Sequence, residues 1–244
     1  PGVSENRQRP RIVLASGARA AESFLLDAVA EHVGAARADF RLLARPVRIV
    51  VPSQSLRQHV SAALARRFGA VAGVQVQTLR GLALEVLERA GEPPRPGERV
   101  VPILVRAMAQ RDAVLAERFG ALRDGYGALV GPVKDLLDAG LSEAQVPGVL
   151  EAVEALAIPA EERERVAGLV RVAGRVTVSL DALGIDTRSL LLRRALSALE
   201  RDPGGVLPQR ATFVHGFADA TGVATDLLLG VLRHGEACIV VDRP

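Results

Sequence analysis

The sequence predicts an α/β fold in which a parallel sheet is interrupted by an inserted all-helical domain. Three observations carry this expectation. Short apolar strands alternate with helical segments over residues 1–90, the apolar period is helical throughout residues 98–201, and the alternation returns after residue 208. Short strands separated by helices imply right-handed βαβ units and a parallel sheet. The expected organisation is residues 1–96 as the first part of the α/β domain, 97–204 as the helical insertion and 205–244 as the last part.

The elements follow in order. Residues 12–15 form a first apolar strand, and a helix opens near Ala20 with Phe24, Leu25, Ala28 and Val29 at helical spacing. A second strand covers 47–51, with a helix over about 56–68 closed by Gly69. A third covers 74–78, with a helix over about 81–90 closed by Gly91. Residues 92–97, EPPRPG, break the pattern. The next block reads as four to six helices despite several Val and Thr, with turn signals at Gly120, Gly140, Pro147, Pro159 and Gly184. Its segments have no fixed period, which argues against a solenoid. A second break, DPGGVLP over 202–208, precedes a fourth strand at 211–214, a helix at 223–232 and a fifth strand at 237–241.

Composition narrows the class. An apolar content of 49% and a charged content of 24% belong to a folded globular chain. The sequence has no apolar run of the ~18 residues that a membrane span needs, and residues 1–11 lack the apolar core of a signal peptide. A cytoplasmic location without a membrane partner is therefore expected. The Pro1 start, and an end that directly follows an apolar strand, read as a piece of a longer polypeptide. The one cysteine, Cys238, excludes an internal disulfide and a Cys-rich zinc site, and is read as a buried inert thiol. Net charge is only +3, but every basic residue except Lys134 is arginine, whose planar fork suits oxyanions. Aromatic residues at 3%, with no Trp, leave few platforms for base stacking.

In open parallel sheets ligands meet the loops at the carboxyl ends of the strands. The first such end, SGARAAES over residues 16–23, has the strand–turn–helix layout of a phosphate-binding loop, with Ser16 and Gly17 in the turn. A working loop ends in Gly-Lys-Ser/Thr; here the triplet is Ala21, Glu22 and Ser23. The glycine is lost and a carboxylate stands where the ammonium is needed. An ordinary strand–helix turn explains this segment about equally well. At the second end, Ser53 or Ser55 can cap the next helix, and the same groups, with Gln54 and Arg57, would suit a backbone phosphate; capping is the favoured reading. The third end offers Thr78 and Arg80, again favouring a cap and a solvated arginine. The fourth ends in His215 and Gly216 where an ATPase would carry carboxylates for Mg²⁺ and water. There, Asp219 is read as a cap for the next helix and His215 as structural. No catalytic triad, metal motif or paired catalytic carboxylate stands out.

Taken together these pieces resemble the N-terminal helicase-like domain of AddB-type subunits of bacterial helicase–nucleases, which are related to RecC. That domain looks like the first motor domain of UvrD-like helicases, with a helical insertion in the same place. The resemblance implies a RecA-like, P-loop NTPase-like fold. In active motors the phosphate loop reads like A-G-A-G-S-G-K-T, and Glu22 stands at its lysine. VPSQ at 51–54 resembles the next family element, and TLRGLA at 78–83 resembles a T-F-H-S-L-A corner. VHGFADAT at 214–221 matches the G-F-x-D-x-T form of AddB-like chains rather than V-D-E-x-Q-D-T, and Ala224 stands where active motors carry a glutamine. The match runs through the whole chain in order.

The resemblance implies a retired motor domain in double-strand-break repair, with no ATP, metal or other cofactor. Its partners would be single-stranded or duplex-end DNA and a helicase–nuclease subunit, and a nuclease domain would lie elsewhere in the parent chain. Ser53, Gln54, Arg57, Thr78 and Arg80 would contact phosphates. Glu22 beside a triphosphate would cost ~1 to 4 kcal/mol over plausible surface dielectrics, and the lost lysine attraction is of similar size. The competing readings are an active nucleotide-binding α/β enzyme and a protein–protein scaffold without DNA contact.

Overall fold

A computed structural model describes residues 10–95, 97–122, 124–220 and 222–243. The N-terminal stretch read as lacking a signal peptide, up to residue 9, lies outside the described residues. So do Pro96 at the first expected boundary, Thr221 of the last motif and Pro244.

The chain forms an α/β structure around five parallel strands: β1 (Arg11–Ser16), β2 (Val47–Val51), β3 (Val74–Thr78), β4 (Ala211–His215) and β5 (Glu236–Arg243). Their order across the sheet is β1-β5-β4-β2-β3, and all pairs are parallel. Every carboxyl end therefore opens on the same edge. Three helices follow the first three strands: α1 (Ala18–Ala38), α2 (Gln54–Phe68) and α3 (Leu79–Arg89). Helices α1 and α2 cover one face, packing Leu25, Val29, Val60 and Leu64 on Val47, Ile49, Phe213 and Val240. Successive crossovers that move the same way along a sheet share a face when all are right-handed.

The period-2 alternation sends Arg48 to the other face, where α3 lies. Arg48 is fully buried there. Its guanidinium donates two 2.8 Å bonds to the Glu85 carboxylate on α3 and a third to Gln77 Oε1 on β3. Burial opposes ionisation of Glu85, but the bonds from Arg48 and Gln77 and the charges of Arg48 and Arg89 hold its carboxyl below the usual range. A buried pair of this kind fixes geometry more surely than it adds stability. Here it sets β3 and α3 against β2.

The described residues divide into two compact units. The α/β unit takes residues up to 93, 192–220 and from 224 on; the helical unit takes 94–191 with 222–223. The helical unit contains α4 (Val101–Ala109), α5 (Ala113–Phe119), α6 (Val130–Asp138), α7 (Val146–Glu154) and α8 (Ala160–Leu183). The long α8 is central and packs on the other four. Its Val and Thr residues sit in the helix because burial of Val170, Val172, Val176 and Thr177 outweighs their weak helix propensity. Asp112 separates α4 from α5: its Oδ1 accepts from the Leu115 N–H at 3.3 Å, and its Oδ2 accepts from Arg171 on α8 at 2.8 Å. A capping carboxylate thus splits a segment that periodicity alone reads as continuous.

The expected insertion, 97–204, ends later than the helical unit does. Helix α9 (Arg188–Arg201) passes to the α/β unit at Leu192. Within that unit Leu196 and Leu199 press on Gly230 of α11 (Val223–Leu232), and Arg194 and Arg201 pair with Glu92. Helix α10 (Pro203–Val206) forms inside the second sequence break, with Asp202 accepting from the Gly205 N–H at 3.0 Å. Among the described residues no helix is long and apolar enough to cross a membrane.

Candidate nucleic-acid interface at the carboxyl edge of the sheet

The first corner is tighter than its sequence suggests. The helix was expected near Ala20, but α1 begins at Ala18, and only Gly17 separates it from β1. Residues 18–23, six of the eight residues of the would-be phosphate loop, are wound into the helix. Gly17 takes φ +90, a conformation that favours glycine, and its N–H returns to the Ala15 carbonyl at 3.0 Å. Ser16 and Ser23 are exposed. Ala21 does not face the cleft: it is fully buried on the sheet, and its N–H donates to the Gly17 carbonyl at 3.1 Å. The Ala21 N–H is thereby committed to the helix and is not offered to a phosphate.

Glu22 leans from α1 toward α2, where its Oε2 lies 2.5 Å from His59 Nε2. His215, at the end of β4, points to the same face. It is only 7% exposed, and its Nδ1 has no hydrogen-bond partner among the described residues. Burial lowers its pKa, opposed by Asp242 and Glu22 and assisted by His59. The two parts of the site that the sequence pairs, Glu22 and His215, are thus brought together. His59 and Asp242 complete the cluster, and sequence reasoning missed both. His59 falls one turn beyond the motif at 51–54, and Asp242 stands near the end of the fifth strand, outside every motif. Spacing to a known motif could have found His59; nothing local marks Asp242.

The position after His215 is closed differently. Gly216 has φ +78, and a Cβ there would lie 2.3 Å from Leu56 Cδ2 of α2. Where the ATPase pattern needs carboxylates, an aliphatic side chain sits on bare backbone. Asp219 is exposed, four residues before α11 begins at Val223. Among the described residues no cluster of His, Cys, Asp and Glu has the arrangement to hold a metal ion.

The second and third corners are adjacent, since Val51 of β2 pairs with Thr78 of β3. Ser53 Oγ accepts from the Leu56 N–H at 3.2 Å, and Thr78 Oγ1 accepts from the Gly81 N–H at 3.1 Å. Both are N-caps, as favoured. Arg57 is exposed and donates to Gln54 Oε1 at 3.3 Å; Arg80 is exposed on the first turn of α3. Helices α1, α2 and α3 each carry an arginine in their first turn, Arg19, Arg57 and Arg80, and none has an acid there. Helix N-termini carry partial positive charge and stabilise acids, not bases. Three arginines on three parallel N-termini along one edge oppose helix stability and concentrate positive potential.

Neither a protein-family model nor a curated protein matches the chain.

Proposed function

We propose that this chain is a degenerate, ATPase-inactive RecA-like domain that binds or guides single-stranded DNA within a helicase–nuclease assembly of double-strand-break repair. The carrying observation is the arginine in the first turn of each of α1, α2 and α3, with no acidic residue in that turn, on the edge shared by all five carboxyl ends. Ser53, Gln54, Arg57, Thr78 and Arg80 form the contact row for the phosphate backbone, and the reading is sequence-tolerant because phosphates carry no base information. Three features support the reading over a nucleotide role: a first loop wound into α1, Glu22 tied to His59, and Leu56 seated on Gly216. The edge strand β1 supports a scaffolding role alongside DNA contact, since its Ile12 and Leu14 are 64% and 60% exposed.

The test is a titration of a fluorescent oligothymidylate over a range of salt, with MgATP as competitor. The affinity should fall with salt, and MgATP should not displace the strand. Arg57→Ala with Arg80→Ala should weaken binding and reduce the log–log salt slope by roughly 1.4, about 0.7 for each single-strand phosphate that is no longer neutralised. Binding that is absent, or unchanged in the double variant, would favour a scaffold without DNA contact. Displacement by micromolar MgATP would restore the active nucleotide-binding reading.

A further inference from the structure

We propose that Glu22 and His59 form a proton-dependent strap between α1 and α2 that positions the DNA-contacting first turn of α2 and sets its net charge. The inference rests on the DNA-binding reading and adds its regulation.

Among the described residues two charged ties join α1 to α2: Glu22 to His59 at 2.5 Å and Asp27 to Arg67 at 2.5 Å. They differ in chemistry. Arginine keeps its charge at every accessible pH. Histidine is the side chain whose charge changes near neutrality. The Asp27–Arg67 tie therefore keeps its charges over this range, while the Glu22–His59 tie changes with pH and lies nearer the N-terminus of α2. His59 stands six residues beyond the cap Ser53, about 9 Å along the helix axis, and two residues beyond Arg57. Along the axis it is therefore about 3 Å from Arg57, well inside the Debye length of about 8 Å at physiological salt, with Ser53 at about that limit.

The titratable groups around the strap are His215 at the end of β4, which interacts with both Glu22 and His59, and Asp242 at the end of β5, which interacts with His215. Burial lowers the pKa of His215, opposed by Asp242 and Glu22, and the tie between the helices themselves is Glu22 with His59. With His59 protonated, Glu22 is neutralised and the α2 turn is drawn to α1. With His59 neutral, an uncompensated carboxylate faces an edge proposed to hold phosphates. Acid conditions should therefore tighten DNA binding, and alkaline conditions should loosen it.

The experiment follows the affinity of the whole chain for a fluorescent oligothymidylate across about pH 5.5 to 8 at constant ionic strength. The wild type should bind roughly threefold more tightly at the acid end, the size expected of one nearby charge in high dielectric. His59→Gln should give a flat profile at the weak level. Glu22→Gln removes the carboxylate from the edge and should bind more tightly at alkaline pH. Asp27→Asn should leave the profile's midpoint in place. Histidine ring NMR on the same variants reads the strap without DNA: the His59 ring signals should change in Glu22→Gln and not in Asp27→Asn. DNA binding that is independent of pH, or a profile that survives His59→Gln, overturns the strap and leaves the DNA-binding reading standing. No DNA binding at any pH overturns both.

Discussion

The first strand–helix corner and its two neighbours are built from the same parts but resolve their charge in opposite ways. At β1–α1 the chain turns on Gly17 with no side-chain cap, and Glu22 follows Arg19 within one turn and is turned onto His59. At β2–α2 and β3–α3 a hydroxyl caps the helix, and the first turn holds an arginine and no acidic residue. The first corner is closed and internally compensated; the other two place positive charge at the sheet edge. Where a sequence keeps a sheet edge but loses its nucleotide chemistry, the remaining anion-binding capacity lies in the corners that never held the triphosphate.

The contrast between corners breaks first at Gly216, where the largest effect is expected. Gly216→Ala meets both a left-handed backbone and Leu56 at 2.3 Å, whereas Gly17→Ala at φ +90 meets open space. Backbone strain of about 1–3 kcal/mol applies to both. The overpacking of about 1–3 kcal/mol applies only at Gly216. Urea denaturation should therefore show Gly216→Ala as the more destabilised by that second amount. Equal losses would mean that Leu56 does not close the fourth strand's end.

A smaller effect sharpens the open corners. Ser53→Ala removes a cap and should cost about 1 kcal/mol. Ser53→Asp keeps an oxygen acceptor for the Leu56 N–H and should keep stability, but it puts a carboxylate into the proposed phosphate row. It should therefore weaken oligothymidylate binding while leaving the unfolding midpoint near that of the wild type. Unchanged affinity in Ser53→Asp would make Ser53 a cap and nothing more.

The sequence made the strands legible because their apolar runs are short and bounded by turn residues, and β2, β3 and β4 lie within one residue of expectation. Helix starts were less legible. Propensity placed α1 near Ala20, yet the backbone turns at Gly17 and winds at once, because Ala18, Arg19 and Ala20 are all good helix formers. The caps at Ser53 and Thr78 could be read from residue type and position. The handover of α9 could not, since Leu196 and Leu199 pack against Gly230, more than thirty residues later. Of the site, Glu22 and His215 were legible as departures from a pattern. Of their partners, His59 could be reached only through its spacing to the motif at 51–54, and Asp242, on β5, carries no local mark at all.

The smallest effect expected concerns His215, and it acts on stability rather than on binding. Its buried ring with an unpartnered Nδ1 has a lowered pKa in the folded chain, with burial as the leading cause and Glu22 and Asp242 opposing it. The unfolded state then binds a proton more readily than the folded state, so stability rises with pH across the window between the two pKa values. This contribution is fully present above the unfolded histidine value of about 6.5 and is lost as pH falls below it toward the folded value. His32, also lowered chiefly by burial, acts in the same direction. The His215→Gln variant isolates the share that belongs to the cluster: its thermal midpoint should fall less than that of the wild type as pH drops below about 6.5. The strap predicts the opposite sign for DNA affinity over the same range, so a chain that loses stability while gaining affinity on acidification would separate the buried histidine from the exposed one. Parallel acid losses in wild type and His215→Gln would remove His215 from the cluster's electrostatics and leave Glu22 and His59 as an isolated surface pair.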